Sequence, residues 1–343
     1  MAPLDRGEAF VAWRHAENAH MTLAIDRFVP RDALRVWAAA GAAIRHRWVR
    51  RVVLVLAVAV AVAGYLHIMS NIYKGDAYGY WFDSRQVPLY YTKLDTAPHG
   101  YLYAPAFVQI LWPLLALPWE LFYGIWLGLL SVTLLWLVRP WLAIPVFALM
   151  FVPYGHGLPF ILQQAQQSGN IYLFIGLAVV AGFRWPWTYS FLLLTKVTPG
   201  IGLLWFAVRR EWRNLAIALG ATAAIVAVSF VLAPSLWFDW FTVLKLNSGY
   251  AEPKFALHFL PLIPRLVIAV VLTIVGARFN ARWVLPIATV LALPYIADTG
   301  LIILLCVIPL ARGDAWTKGR GHMPVAETNG SEEPTAETAT PAT

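Results

Sequence analysis

The feature that most constrains this chain is a series of long apolar runs between residues 52 and 311, separated by polar loops at 70–101 and 234–259. Only eight acidic residues lie between 52 and 311, and the whole chain is 60% hydrophobic and 13% charged. An ordinary soluble domain carries about 25% charged residues. The composition therefore excludes a disordered chain, a collagen and a soluble enzyme with a charged surface. Because the apolar runs are long and do not alternate, they predict membrane helices rather than barrel strands.

The runs predict an all-α polytopic membrane protein with about 9–11 membrane helices, some of them short or re-entrant. Nine arginines lie in residues 1–51, directly before the first apolar span at 52–69. Basic residues beside a span indicate a cytoplasmic side. We therefore expect a cytoplasmic segment at 1–51, a multi-span membrane domain at 52–311 and a disordered cytoplasmic tail at 312–343. Within the membrane domain, 70–101 and 234–259 are expected to be extracytoplasmic loops.

A proline interrupts the apolar segment between two basic sites that both look cytoplasmic, Arg184 and the cluster that begins at Arg209. Pro199 removes a backbone donor and clashes with the preceding helical turn. One interpretation is a helix that rises, breaks at 196–200 and returns, which would place Lys196 within the membrane zone. An intramembrane lysine is costly and usually functional, although snorkelling to the interface is an alternative. The other interpretation leaves Arg184 alone on the outer side.

Acidic residues are rare between residues 52 and 311, and Asp76 is the main catalytic candidate among them. It lies shortly after the first span, at the expected membrane surface, within a run of glycine, tyrosine and tryptophan. A carboxylate there could deprotonate a hydroxyl nucleophile, or it could simply cap the following helix. The neighbouring aromatic rings suit a sugar face or the lipid interface. Asp83 would share a helical face with Asp76 at a distance of about 10 Å and is a candidate backup base.

Two further polar residues are candidate substrate contacts. His258 lies in the second polar loop. Asp298 follows a Pro-Tyr break and is either a helix cap or a polar group that lines a cavity. No histidines or carboxylates stand at a metal-ligand spacing, and Cys306 is the single cysteine, so we expect neither a metal site nor a cofactor. The distribution of basic residues argues against a nucleic-acid partner.

Several short motifs occur in a fixed order along the chain. They are Asp76, Tyr103-Ala104-Pro105, Gly169-Asn170, Lys196-Val197-Thr198-Pro199 and Arg209-Arg210-Glu211-Trp212. In this order and spacing the chain resembles glycosyltransferase family 87, the polyprenyl-phosphate-mannose-type transferases with the GT-C membrane fold. The resemblance runs from about residue 52 to residue 311.

The resemblance implies a transfer with inversion from a sugar on a polyprenyl phosphate, with Asp76 as the general base. Lys196, Tyr103 and Asn170 would bind the donor, and the Lys196 cation would stabilise the leaving phosphate. Mannose is the expected sugar and a pentose the alternative, while the acceptor would be a cell-envelope glycolipid or polysaccharide. The active site would face the extracytoplasmic side of the cell membrane.

Two other classes of membrane protein compete with a transferase. A transporter should carry ionisable groups at mid-membrane on paired broken helices of repeated halves. Here most acids lie in loops or at helix ends, and no internal repeat is evident. A scaffold or flippase without glycosyl transfer is the second alternative. Replacement of Asp76 separates these classes, because only the transferase needs that carboxylate.

Overall fold

The structure is a computed structural model that describes residues 47–90, 101–138, 140–152, 157–247 and 260–311. Within these ranges all regular structure is helical and no strand occurs. In chain order the α-helices are α1 (Arg47–Met69), α2 (Asp76–Asp83), α3 (Pro105–Leu115), α4 (Trp119–Val138), α5 (Pro140–Ala148), α6 (Leu158–Gln167), α7 (Tyr172–Ala181), α8 (Tyr189–Thr195), α9 (Leu203–Val208), α10 (Trp212–Leu232), α11 (Pro234–Asn247), α12 (Leu262–Arg278), α13 (Val284–Leu291) and α14 (Val307–Ala311). Short 3-10 helices occur at Leu149–Phe151, Pro186–Thr188, Thr198–Gly202 and Asp298–Cys306.

Several segments of the predicted organisation fall outside the described residues. They are most of the N-terminal segment, residues 91–100 of the first loop, residues 248–259 of the second loop with His258, and the tail from residue 312 onward. The described parts of both predicted loops contain helix, because α2 lies in the first loop and α11 in the second.

Three of the described helices, α1, α4 and α10, are long and apolar enough to cross a membrane. Five shorter apolar helical segments of 10–17 residues accompany them. Proline explains part of this shortness, because Pro113 and Pro145 lie inside α3 and α5 and each removes a backbone donor. The chain is therefore an all-α membrane protein whose shorter helices match the predicted short or re-entrant pieces.

The described residues group into two compact units. The first consists of residues up to 86 together with 113–173, and the second of residues 87–112 together with those from 174 onward. In the first unit α1 packs against α4 and α5. Its buried stripe consists of small residues and one isoleucine, namely Ala57, Ala61, Gly64 and Ile68. Small side chains let helices approach closely without a water-driven hydrophobic effect.

In the second unit the chain bends at the predicted break. Helix α8 is followed by Lys196, which has an extended backbone with φ −138° and ψ 104°, and the 3-10 turn and α9 come next. The Phe183 ring lies 5.4 Å from the Trp205 ring, and the Arg282 guanidinium lies 4.7 Å over Phe183. The start and the end of the broken segment therefore lie close together, and its path relative to the membrane stays a prediction.

Candidate active site

Asp76 is the first residue of helix α2 and its side chain is exposed. A carboxylate in the first helical turn is stabilised by the positive end of the helix dipole. One oxygen, Oδ2, accepts a hydrogen bond of 2.9 Å from the side-chain amide of Asn170. The amide oxygen of Asn170 in turn accepts the backbone N–H of Tyr172 at 3.1 Å. Asn170 is buried with 7% of its surface exposed, so the exposed carboxylate is hydrogen-bonded to a buried amide.

Two glycines allow the start of α2 to dock on the turn at residues 168–170. The Ala77 N–H donates to the Ser168 carbonyl at 2.8 Å. A Cβ on Gly75 would lie 2.7 Å from the Ser168 backbone, and a Cβ on Gly169 would lie 2.4 Å from the Ala77 side chain. Gly169 also has φ +69°, a conformation that side-chain-bearing residues rarely adopt. The close approach that places Asn170 beside Asp76 therefore depends on these glycines.

Helix α4 donates hydrogen bonds to the same turn from two aromatic side chains that the sequence analysis did not single out. The Trp126 indole N–H donates to the Gly169 carbonyl at 2.7 Å, and the Tyr123 hydroxyl donates to the Gln167 carbonyl at 2.8 Å. Tyr123 and Trp126 are three residues apart and therefore share a helical face. Buried tyrosine and tryptophan tips need polar partners. The sequence could therefore indicate that Tyr123 and Trp126 have hydrogen-bond partners, but it could not indicate which residues those partners are.

An aromatic surface covers another face of α2. The Tyr78 ring stacks on Phe82 at 5.5 Å and meets Trp119 edge-on at 5.1 Å. The Lys74 ammonium lies 4.8 Å from the Tyr78 ring centroid. Phe82 is exposed, Tyr78 half-buried and Trp119 buried. Aromatic rings beside a cation suit either a sugar face or the membrane interface, as the sequence predicted for this loop.

Asp83 ends α2, and its side chain is buried with 7% exposed. A Cβ on Gly79 would lie 3.8 Å from its carboxylate oxygen, so the helix itself covers part of the side chain. Asp76, in contrast, is exposed at the other end of the same helix. A buried carboxylate is harder for an acceptor hydroxyl to reach, and Asp83 stays only a predicted backup base.

Lys196 belongs to the second unit and is half-buried at the break after α8. Its ammonium lies 5.4 Å from the centroid of the Tyr295 ring, within the range of a cation–π interaction. The Tyr103-Ala104-Pro105 motif packs on the same helix end, because the Ala104 N–H donates to the Leu194 carbonyl at 3.1 Å. The second unit therefore brings the Tyr103 and Lys196 motifs together, as Asp76 and Asn170 are brought together in the first.

The Tyr103 segment is held by Tyr90, whose hydroxyl donates to the Tyr103 carbonyl at 2.6 Å. Burial raises the pKa of the Tyr90 hydroxyl above its usual range, and the negative charge of Asp239 raises it further. Tyr90 is therefore a protonated donor at every physiological pH. The Tyr103 ring packs edge-on against Phe107 at 5.1 Å.

The remaining predicted residues have local roles or lie outside the described ranges. The Asp298 carboxylate accepts the N–H of the adjacent Thr299 at 2.7 Å in the first turn of a 3-10 helix whose N-cap is Ala297, so it does not cap that helix. His258 is not among the described residues. Within the described ranges, no three His, Cys, Asp or Glu side chains are close enough together to hold a metal ion.

Arg265 is a structural residue that the sequence analysis missed. It is 1% exposed within the apolar helix α12, and its guanidinium donates to the carbonyls of Leu260, Leu291, Leu293 and Pro294. The carbonyls of Leu291, Leu293 and Pro294 lie where α13 ends, whereas that of Leu260 lies just before α12. An arginine in an apolar run is itself a signal, because a buried charge requires partners.

Comparison with known proteins identifies a family for this chain. The model of glycosyltransferase family 87 matches residues 101–315, which include Tyr103, Asn170 and Lys196 but not Asp76. No curated protein and no solved structure matches the chain significantly. Because the match covers more than half of the chain, the chain belongs to glycosyltransferase family 87.

Proposed function

We propose that this membrane glycosyltransferase moves mannose from a polyprenyl-phosphate donor to a cell-envelope glycolipid or polysaccharide, with inversion at the anomeric carbon. The observation that carries the proposal is the Asp76 carboxylate, exposed at the start of α2 and held by Asn170 at 2.9 Å. It comes shortly after α1, the first helix long enough to cross a membrane. A base in that position can act on an acceptor at the membrane surface.

In the proposed reaction the acceptor hydroxyl oxygen attacks the anomeric carbon while Asp76 takes its proton. The bond between the anomeric carbon and the phosphate oxygen breaks, and polyprenyl phosphate leaves with the electron pair. A single displacement of this kind inverts the configuration. Lys196 is the proposed cation that stabilises the charge on the leaving phosphate. Support for this role comes from its place at a helix break beside the Tyr103 motif.

The proposed orientation has an extracytoplasmic active site and a cytoplasmic N-terminus and tail in the cell membrane. Arg47, Arg50 and Arg51 lie at the start of α1, and Asp76 follows the far end of this 23-residue helix. A helix of that length spans about 34 Å, enough to cross the hydrocarbon core. Basic residues favour the cytoplasmic side, so Asp76 would face outward.

The test measures sugar transfer in membranes supplied with radiolabelled polyprenyl-phosphate mannose. We expect Asp76→Asn to lower transfer by about 10²–10⁴-fold, as the loss of a general base does. The matched control is Glu120→Gln, which removes an exposed carboxylate from the first turn of α4. Membrane insertion of each variant is checked in the same preparation.

Three results would contradict the proposal. Normal transfer by a membrane-inserted Asp76→Asn variant would show that Asp76 is not the general base and would favour a transporter or flippase. Incorporation from a sugar nucleotide without a lipid intermediate would overturn the donor. Equal activity of Lys196→Gln and Lys245→Gln, the latter an exposed lysine on α11, would remove Lys196 from the leaving-group role.

A further inference from the structure

Asn170 makes two hydrogen bonds that together determine how its amide is oriented. The backbone N–H of Tyr172 can only donate, so the atom that faces it must be the amide oxygen Oδ1. The amide nitrogen Nδ2 therefore faces Asp76, and its N–H donates to Oδ2 at 2.9 Å. The direction of this bond follows from the network and makes Asn170 a donor to the carboxylate.

We infer that Asn170 is a positioning residue that occupies Oδ2 of Asp76, fixes the orientation of the carboxylate and leaves Oδ1 as the oxygen that takes the proton. The inference rests on the proposed role of Asp76. Because Asn170 itself is buried, this donor does not have to compete with bulk water for its place.

The surroundings hold Asn170 in place from several directions. The Gly169 carbonyl accepts from Trp126, and the Ser168 carbonyl accepts from Ala77 in the first turn of α2. The support and the helix that carries the base are therefore joined by both a backbone and a side-chain hydrogen bond. Such support fixes a reacting group within the narrow tolerance that catalysis requires.

This role differs from the donor contact predicted for Asn170 from the family resemblance. The amide oxygen and one amide hydrogen are engaged within the first unit, with Tyr172 and Asp76. Asn170 would influence the reaction through Asp76 rather than through the sugar phosphate. Its replacement should therefore mainly lower kcat, and only while the Asp76 carboxylate is present, whereas loss of a donor contact should mainly raise KM.

The decisive experiment compares kcat and KM for sugar transfer in variants of the two residues. Asn170→Ala removes the donor to Asp76, and Asn170→Asp keeps the side-chain shape and the acceptor for Tyr172 but has no N–H to donate. We expect each to lower kcat by about 10-fold or more with KM within about two-fold, because a small misplacement of a reacting group is costly. In the Asp76→Asn background the same substitutions should lower the residual kcat no further, because Asn170 acts through Asp76.

Asn71→Asp is the matched control, because Asn71 is an exposed amide in the same unit that bonds to the His67 carbonyl and the Ser70 hydroxyl. It introduces the same charge and should leave kcat and KM unchanged.

A wild-type kcat in Asn170→Ala and Asn170→Asp, or an equal loss of kcat with and without the Asp76 carboxylate, would overturn the role of Asn170. That result is distinct from a failure of the proposed function, which would show as normal transfer by Asp76→Asn. A rise in KM without any change in kcat would restore Asn170 to the donor site. Protection of the buried Cys306 thiol from maleimide confirms that each variant is folded.

Discussion

Replacement of Gly169 by alanine tests the close approach on which the candidate site depends. Gly169 has φ +69°, and an added Cβ would lie 2.4 Å from the Ala77 side chain. Ordinary contacts at such a position begin at 3.4 Å, so α2 and the turn must separate by roughly an ångström. A displacement of that size would stretch the Asp76–Asn170 bond from 2.9 Å beyond hydrogen-bonding distance.

The expected loss of unfolding free energy has two parts. An alanine at positive φ costs about 1–2 kcal/mol, and overpacking of a buried contact adds about 1–3 kcal/mol. We therefore expect Gly169→Ala to lose about 2–5 kcal/mol in total. A misplacement of about 1 Å at a reacting group can lower a rate by about 10²-fold, so transfer should fall by a similar factor in the protein that remains folded.

Gly157 offers a control that lacks the overpacking part. It has φ +87° and is exposed, but a Cβ there would meet nothing within 4 Å. Its ψ of −149° lies in a region that is essentially restricted to glycine, so Gly157→Ala should lose about 1–3 kcal/mol from backbone strain alone. Both substitutions reduce the entropy of the unfolded chain equally, so that contribution cancels in the comparison.

The assay is equilibrium unfolding of the purified protein by SDS titration, combined with the transfer assay. Ala77→Gly removes the side chain that the new Cβ would meet, so the double variant should recover most of the overpacking loss in a double-mutant cycle. Equal losses in Gly169→Ala and Gly157→Ala would refute the reasoning. Failure of Ala77→Gly to couple with Gly169→Ala would do the same.

Two further predictions concern buried groups in the second unit. Arg265→Met leaves the carbonyls at the end of α13 without their donor and should lower the unfolding free energy by about 3–5 kcal/mol, whereas the exposed Arg213→Met should change it by less than about 0.5 kcal/mol in the same SDS titration. Equal effects would contradict the stabilising role of the hydrogen bonds from Arg265 to these carbonyls. Cys306 is the only cysteine of the chain and is fully buried, so maleimide should label it only after unfolding, and rapid labelling of the native protein would contradict its position.

The sequence predicted the properties that depend on local chemistry. The apolar stretch predicted an all-helical membrane protein, and the structure confirms it. Pro199 predicted the break after Lys196, since a proline ring and a missing donor disrupt a helix in any context. The position of Asp76 shortly after the first span followed from span length alone, and the family resemblance was confirmed by the match over residues 101–315.

Other features depend on which helices pack together, and no local pattern encodes that choice. Asn170 lies 94 residues from Asp76, so its amide contact became visible only in the folded unit. The glycine at position 169 looked like an ordinary turn residue until Ala77 was found against it. Arg265 was visible as a charge in an apolar run, but its carbonyl partners at the end of α13 were not.

Hydropathy and backbone restrictions are properties of each residue and its near neighbours, so the sequence by itself determined the helical class and the break after α8. Hydrogen bonds and close contacts between distant segments require two surfaces to meet in one register. Only the tertiary structure decided that the turn at 168–170 holds the Asp76 carboxylate from a buried amide.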